Sequence, residues 1–263
     1  MTPYPRIALT GGPVEYQLWE PAEEQAPTLV LLHEGLGSIA QWKDFPQRLA
    51  QASGCRVLAY SRYGYGGSGP VPLPRPLDYL HREAVGPLPE LLAALGIGRH
   101  VLVGHSDGGT IALLNAALSP APTLLGVVAE APHVFVEDMT VAGIARALEQ
   151  YRADDHGKSL RQRLARYHGG NVDVAFHGWA SAWLHPDFRT WDIGAEISGI
   201  RVPVLLVQGR QDEYATLAQL DRIEHCLSGR VERLVIEECG HSPHLRHPGP
   251  VAGAVTAFVS GLL

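Results

Sequence analysis

The chain is 263 residues long and 46% hydrophobic, with a net charge of −6. The composition excludes a disordered chain, and the length suits one large α/β domain with an insertion or two small domains. Acids and bases are interspersed without a basic stripe, so nucleic acid is not an expected partner. The three cysteines, Cys55, Cys226 and Cys239, are far apart and odd in number, which gives no disulfide framework. Residues 1–6 lack the basic-then-apolar pattern of a secretion signal, and no apolar run approaches the ~20 residues that cross a bilayer. A cytoplasmic location with no membrane partner is the expectation.

Strand-length apolar runs alternate with helical patterns along the chain. Arg6 to Thr10 and Val14 to Trp19 read as strands joined through Gly11-Gly12-Pro13, a hairpin signal. Thr28 to Leu32 is a continuous aliphatic run, as expected of a strand buried on both faces. Ser38 to Ala52 has helical spacing at Ile39, Trp42, Phe45, Leu49 and Ala52. Arg56 to Tyr60 is the next strand, and Glu83 to Leu95 the next helix. Val101 to Val103 and Leu124 to Ala129 follow as strands, then Val202 to Val207 and Val231 to Ile236, and a helix over Pro250 to Leu262 closes the chain. This alternation predicts parallel βαβ units and a sheet covered on both faces. Residues 136–200 break the rhythm, with helical patterns at Val141 to Tyr151, Ser159 to Tyr167 and Val172 to Leu184. The expected organisation is a core in two parts, 1–135 and 201–263, with a helical cap over 136–200.

Between Val101 to Val103 and a helical run beginning at Thr110 lies Gly104-His105-Ser106-Asp107-Gly108, a G-x-S-x-G pattern. A strand, a sharp turn and a helix in that order present a serine as a nucleophile rather than a surface hydroxyl. A serine hydroxyl needs a base to take its proton, and the base needs an acid to orient it. After the last strand stands Glu238-Cys239-Gly240-His241, and after the preceding strand Gln208-Gly209-Arg210-Gln211-Asp212. Ser106, Asp212 and His241 therefore arrive in the order that this architecture requires of a nucleophile, an acid and a base.

On those residues the chain resembles the α/β-hydrolase fold superfamily over essentially its whole length. The resemblance implies an eight-stranded, mostly parallel sheet with helices on both faces and a Ser-Asp-His triad at its carboxyl edge. It also implies an oxyanion hole of two backbone N–H groups. One would come from Asp107, at a helix N-terminus. The other would come from the loop His33-Glu34-Gly35-Leu36-Gly37, where relatives commonly read H-G-x-x-G. Gly35 is the donor in an ungapped alignment and Leu36 after a one-residue shift. His33 is expected to brace that loop. A second family signature, D-x-x-G-x-G-x-S, matches Ser61 to Ser68, with Ser61 in place of the acid.

Glu34 and Glu130 also fall at the carboxyl edge. Each is expected either to pair with an arginine or a backbone amide or to meet substrate. His133, Trp179 and Trp183 are further pocket candidates; Phe176, His177, His185 and Trp191 are possible lining residues without an assigned role. The series His241, His244 and His247 is a poor metal motif, because Pro243 and Pro248 interrupt it. Neither a metal nor another cofactor is expected. The leading expectation is hydrolysis of a small ester, lactone or enol-lactone, with a small molecule as the partner. The alternatives are C–C hydrolysis of the meta-cleavage type and, in another class, a non-catalytic ligand-binding protein of the same fold.

Overall fold

A computed structural model describes residues 4–20, 26–153 and 159–263. Its strands are β1 (Arg6–Leu9), β2 (Gly12–Trp19), β3 (Thr28–Leu32), β4 (Arg56–Tyr60), β5 (His100–His105), β6 (Leu124–Glu130), β7 (Val204–Gly209) and β8 (Val231–Ile236). They form one eight-stranded sheet in the order β1-β2-β4-β3-β5-β6-β7-β8. The first two strands join antiparallel, and from β4 to β8 all neighbours are parallel.

The helices are α1 (Phe45–Ser53), α2 (Tyr79–Val85), α3 (Pro87–Ala94), α4 (Asp107–Leu118), α5 (Asp138–Arg152), α6 (Leu160–His168), α7 (Val172–Trp183), α8 (Gly194–Ile197), α9 (Ala218–Cys226), α10 (Pro243–Arg246) and α11 (Pro248–Ser260). Among the described residues none is long and apolar enough to cross a membrane.

The strand period of two sorts the aliphatic runs into two cores. Leu29, Leu31, Val57, Val101, Leu205 and Val207 pack on one face against Phe45 and Leu49 of α1 and Val255 and Phe258 of α11. Val30, Leu32, Leu58, Leu102 and Leu206 pack on the other against Leu88, Ile111, Leu114 and Leu220. This is why β3, β5 and β7 read as unbroken apolar runs: every residue of each is buried. Helices α5 to α8 lie between β6 and β7 in the chain. Their Ile144, Phe176, Trp183 and Ile197 belong to the same apolar cluster as the second sheet face.

Two expected helices are interrupted. The Ser38 to Ala52 pattern becomes a short 3-10 turn, Ile39–Trp42, and then α1, with Lys43 between them at φ 56°. The Glu83 to Leu95 pattern breaks at Gly86, which stands before Pro87 at φ −115°, ψ −89°. A residue that precedes proline is driven out of the helical region, so α2 stops there and α3 restarts with the ring at its first position.

Candidate active site

The parallel strands all end at one edge, and the turn after β5 carries Ser106. Its backbone is at φ 54°, ψ −118°, a conformation that costs a non-glycine residue about 1–3 kcal/mol. Neighbours hold it there. The Ser106 N–H donates to the Glu130 carbonyl at 2.8 Å, and Thr110 N–H donates back to the Ser106 carbonyl at 3.0 Å. The flanking glycines are required by contact. A Cβ on Gly104 would stand 2.1 Å from the Gly108 carbonyl oxygen, and one on Gly108 would stand 2.0 Å from that of Leu32. Ser106 is 7% exposed, and its Oγ has no hydrogen-bond partner among the described residues.

The loops after β7 and β8 approach as closely. A Cβ on Gly209 would meet the carbonyl oxygens of Cys239 and Gly240 at 2.3 Å. Gln211 N–H donates to the Cys239 carbonyl at 2.9 Å, and Cys239 N–H to the Gln211 side chain at 3.0 Å. This stitching brings Asp212 and His241 together. Nδ1 of His241 lies 2.9 Å from each Asp212 carboxylate oxygen. The carboxylate also accepts from the N–H groups of Tyr214 and Ala215, at 2.8 and 3.2 Å. Burial opposes its charge, but the bond to His241 and these amides hold its pKa below the ordinary range. Nδ1 thus donates, which leaves Nε2 of His241 as the acceptor.

Ser106, Asp107, Gly35, Leu36 and His241 line one cavity of about 200 Å³ with Trp179 and Trp183 of α7. Asp107 opens α4, where its N–H has no partner within the helix. Glu34 and His133 line the cavity too. Burial, then the adjacent His241, depresses the His133 pKa to about 3, so this ring stays neutral.

Other expected residues lie elsewhere. Glu130, 2% exposed, is not on the cavity wall: its carboxylate accepts from the backbone and Nδ1 of His244, at 2.9 and 2.7 Å. Its partner is a histidine together with that histidine's amide. Phe176 stacks on Tyr151 and Trp191 on Phe188, while His177 packs against Tyr151 and His185 caps the turn at Pro186. None of these four lines the cavity.

Sequence reading passed over His105, the second residue of the G-x-S-x-G pentapeptide. Its Nε2 donates to the His241 carbonyl at 2.7 Å, and its Nδ1 lies 3.8 Å from the Glu34 carboxylate. Burial disfavours the His105 cation, but Glu34 and Glu130 outweigh it and raise the pKa to about 9. Glu34 is reciprocally lowered to about 2, against its burial, by His105. His105, Glu130 and His244 are the described residues whose ligand atoms, within 4.8 Å of one another, would admit a metal ion. Also unforeseen on the cavity wall are Thr140, Ile144, Glu213 and Tyr214. Glu213 was legible only as the neighbour of Asp212; it accepts the His241 N–H at 3.0 Å.

With that geometry established, residues 29–254 match the model of the alpha/beta hydrolase family. The chain belongs to the alpha/beta hydrolase family. Hydrolysis is the activity that this membership supports. This hydrolase is 26% identical to epoxide hydrolase A of Mycobacterium tuberculosis over 99% of its own chain and 98% of that protein. Its fold is similar to the crystal structure of an enol-lactonase from Burkholderia xenovorans, with TM-score 0.73 and 21% identity, covering 97% of this chain and 100% of that one. It is also similar to a proline iminopeptidase from Mycobacterium smegmatis, with TM-score 0.78 and 20% identity, covering 98% and 97%.

Two outcomes are expected from this geometry. Gly108→Ala should lose on the order of 3–4 kcal/mol of stability in urea unfolding, since its methyl meets fixed backbone. The Glu34–His105 pair should also shape stability against pH. His105 has a raised folded-state pKa, so its contribution is full below about 6.5 and is lost as pH rises through about 9. Thermal melts from pH 7 to 10 should show this loss in wild type and lack it in His105→Gln.

Proposed function

We propose that the protein is a serine hydrolase of small carboxylic esters, lactones or enol-lactones whose acyl half carries no negative charge. Ser106 is the nucleophile, His241 the base and Asp212 the acid that orients it, with the N–H groups of Gly35 and Asp107 as the oxyanion hole. One observation carries this reading. Ser106 shares a single cavity of about 200 Å³ with His241, whose Nδ1 is bound to Asp212 at 2.9 Å.

In the reaction, Nε2 of His241 takes the Ser106 proton as Oγ attacks the carbonyl carbon. The developing oxyanion turns to the two N–H groups, and His241 returns the proton to the leaving alkoxide. Water then attacks the acyl-serine by the same steps. Helices α5 to α7 act as the cap, with Trp179 and Trp183 against the acyl group and the cavity volume limiting its size.

The site's charge supports the substrate class. Glu34 and Glu213 line the cavity, and no lysine or arginine does. A carboxylate-bearing substrate, such as a meta-cleavage product, would meet His105 as the cation on the wall, and that charge is already matched by Glu34 at 3.8 Å. The serine argues against epoxide opening. Attack by Ser106 on an epoxide carbon would leave an ether, which water does not hydrolyse; that chemistry needs a carboxylate nucleophile, whose alkyl ester retains a carbonyl.

A fluorophosphonate probe should label wild type at Ser106 and leave Ser106→Ala unlabelled; folded wild type that resists labelling would end the hydrolase reading. With p-nitrophenyl butyrate, kcat/KM should fall on acidification, because a general base acts only in its unprotonated form, and p-nitrophenyl monoglutarate should be turned over far more slowly. Asp212→Asn should lose about 10⁴ in kcat, whereas Glu130→Gln should lose far less. The reverse ranking would transfer the acid to Glu130.

A further inference from the structure

Below the candidate oxyanion loop lies a buried cation that the proposed reaction does not use. Arg62, just past the end of β4, is 2% exposed. Its Nη2 donates to the carbonyl oxygen of Glu34 at 2.9 Å and to that of His33 at 3.3 Å. His33 joins the same arrangement. Its Nε2 accepts the Arg62 N–H at 3.1 Å, and its Nδ1 lies 2.7 Å from the Glu34 carbonyl. Burial and then the Arg62 charge hold the His33 pKa well below the ordinary value. The ring is therefore neutral, with its proton on Nδ1. Gly37 N–H reaches the same carbonyl at 3.1 Å. Three donors thus converge on one oxygen.

In a trans peptide the C=O and the following N–H point in opposite directions. Fixing the Glu34 carbonyl towards Arg62 therefore fixes the Gly35 N–H away from it. That N–H has no acceptor among the described residues, and Gly35 lines the cavity beside Ser106. The same guanidinium stands 3.8 Å from the Asp107 carboxylate. That carboxylate accepts from Tyr79 at 2.7 Å, and Tyr79 accepts from Nε1 of Trp183 at 2.9 Å. One buried cation therefore bonds the peptide that carries the Gly35 N–H and stands beside the side chain of Asp107, whose N–H is the other donor.

We propose that Arg62 is the positioning residue of the oxyanion hole: with His33 it locks the Glu34–Gly35 peptide so that Gly35, rather than Leu36, supplies the second donor. This rests on the reading of Ser106 as an acyl nucleophile. The lock explains why a glutamate is tolerated where relatives carry glycine. Only the Glu34 backbone is constrained by Arg62, and its side chain leaves in another direction, towards His105.

The test separates positioning from folding. Removing the cation alone strands the buried Asp107 charge, so the principal variant is Arg62→Gln combined with Asp107→Asn. His33→Phe removes one donor to the Glu34 carbonyl without changing charge, and His33→Asn keeps an amide donor near the Nδ1 position. Each is compared with wild type in p-nitrophenyl ester turnover, fluorophosphonate titration, urea unfolding and inhibition by phenylboronic acid, which forms a tetrahedral adduct. The double variant should fold and lose about 10²–10³ in kcat, the loss expected of one oxyanion donor, with KM within a few fold. Boronate affinity should fall in parallel. His33→Phe should lose about tenfold in kcat, and His33→Asn should recover most of it. If the double variant does not fold, the His33 pair decides. Folded variants that retain wild-type kcat and boronate affinity, or that lose only KM, would overturn the inference and leave the hydrolase reading intact. Wild type that neither labels nor turns over any ester would remove both.

Discussion

The backbone contact between Gly108 and the end of β3 is the constraint on which the site depends. A methyl group at Gly108 would collide with the Leu32 carbonyl oxygen. Because that space is empty, α4 begins directly against the central strands. The turn before it is then forced tight enough to hold Ser106 at positive φ. The same approach sets the loop at His33 beside the start of α4, where Gly35 and Asp107 border a common cavity. A looser turn would separate Ser106 from Gly35 and Asp107.

Buried ionisable side chains are the second organising element, and they are arranged in pairs. Arg62 faces Asp107 beneath the oxyanion loop, Glu34 faces His105, and Glu130 faces His244. An unpaired ion in such surroundings would be costly, whereas a paired and hydrogen-bonded one fixes geometry. Each group spans two chain segments distant in sequence. Together they tie the loops after β3, β4, β5, β6 and β8 to one another at the edge where chemistry is proposed.

The frame was legible in the sequence, because two-sided burial writes itself as unbroken aliphatic runs and the strand-turn-helix order marks the serine. Asp212 and His241 were legible for the same reason: each follows a readable strand by a short glycine-containing turn. The helix break at Lys43 was not, since apolar spacing continues across it and the interruption is a backbone event, whereas the break at Gly86 was signalled by Pro87 and hidden only by the apolar spacing around it. Glu130 lies at the strand end as read and accepts a backbone amide, one of the two readings left open, because strand position gives the edge but not the direction of the side chain. Arg62 was invisible because a lone basic residue in a polar loop reads as solvated, and its acceptors are carbonyls remote in sequence. The Ser61 departure has a physical resolution. Its hydroxyl donates to the Glu15 carboxylate at 2.6 Å, so an acid from the neighbouring strand reaches the place where relatives carry one in the motif.

The insertion between β6 and β7 packs Ile144, Phe176 and Trp183 into the apolar cluster that also covers the sheet, and Trp183 is hydrogen-bonded to Tyr79 of α2. Its interior is only partly its own: Tyr151 stacks on Phe176 and Phe188 on Trp191 within it, and the rest is shared with the sheet side. Such a segment is not a cassette to be exchanged whole between scaffolds: a transplanted insertion would arrive without the part of its core that the sheet side provides.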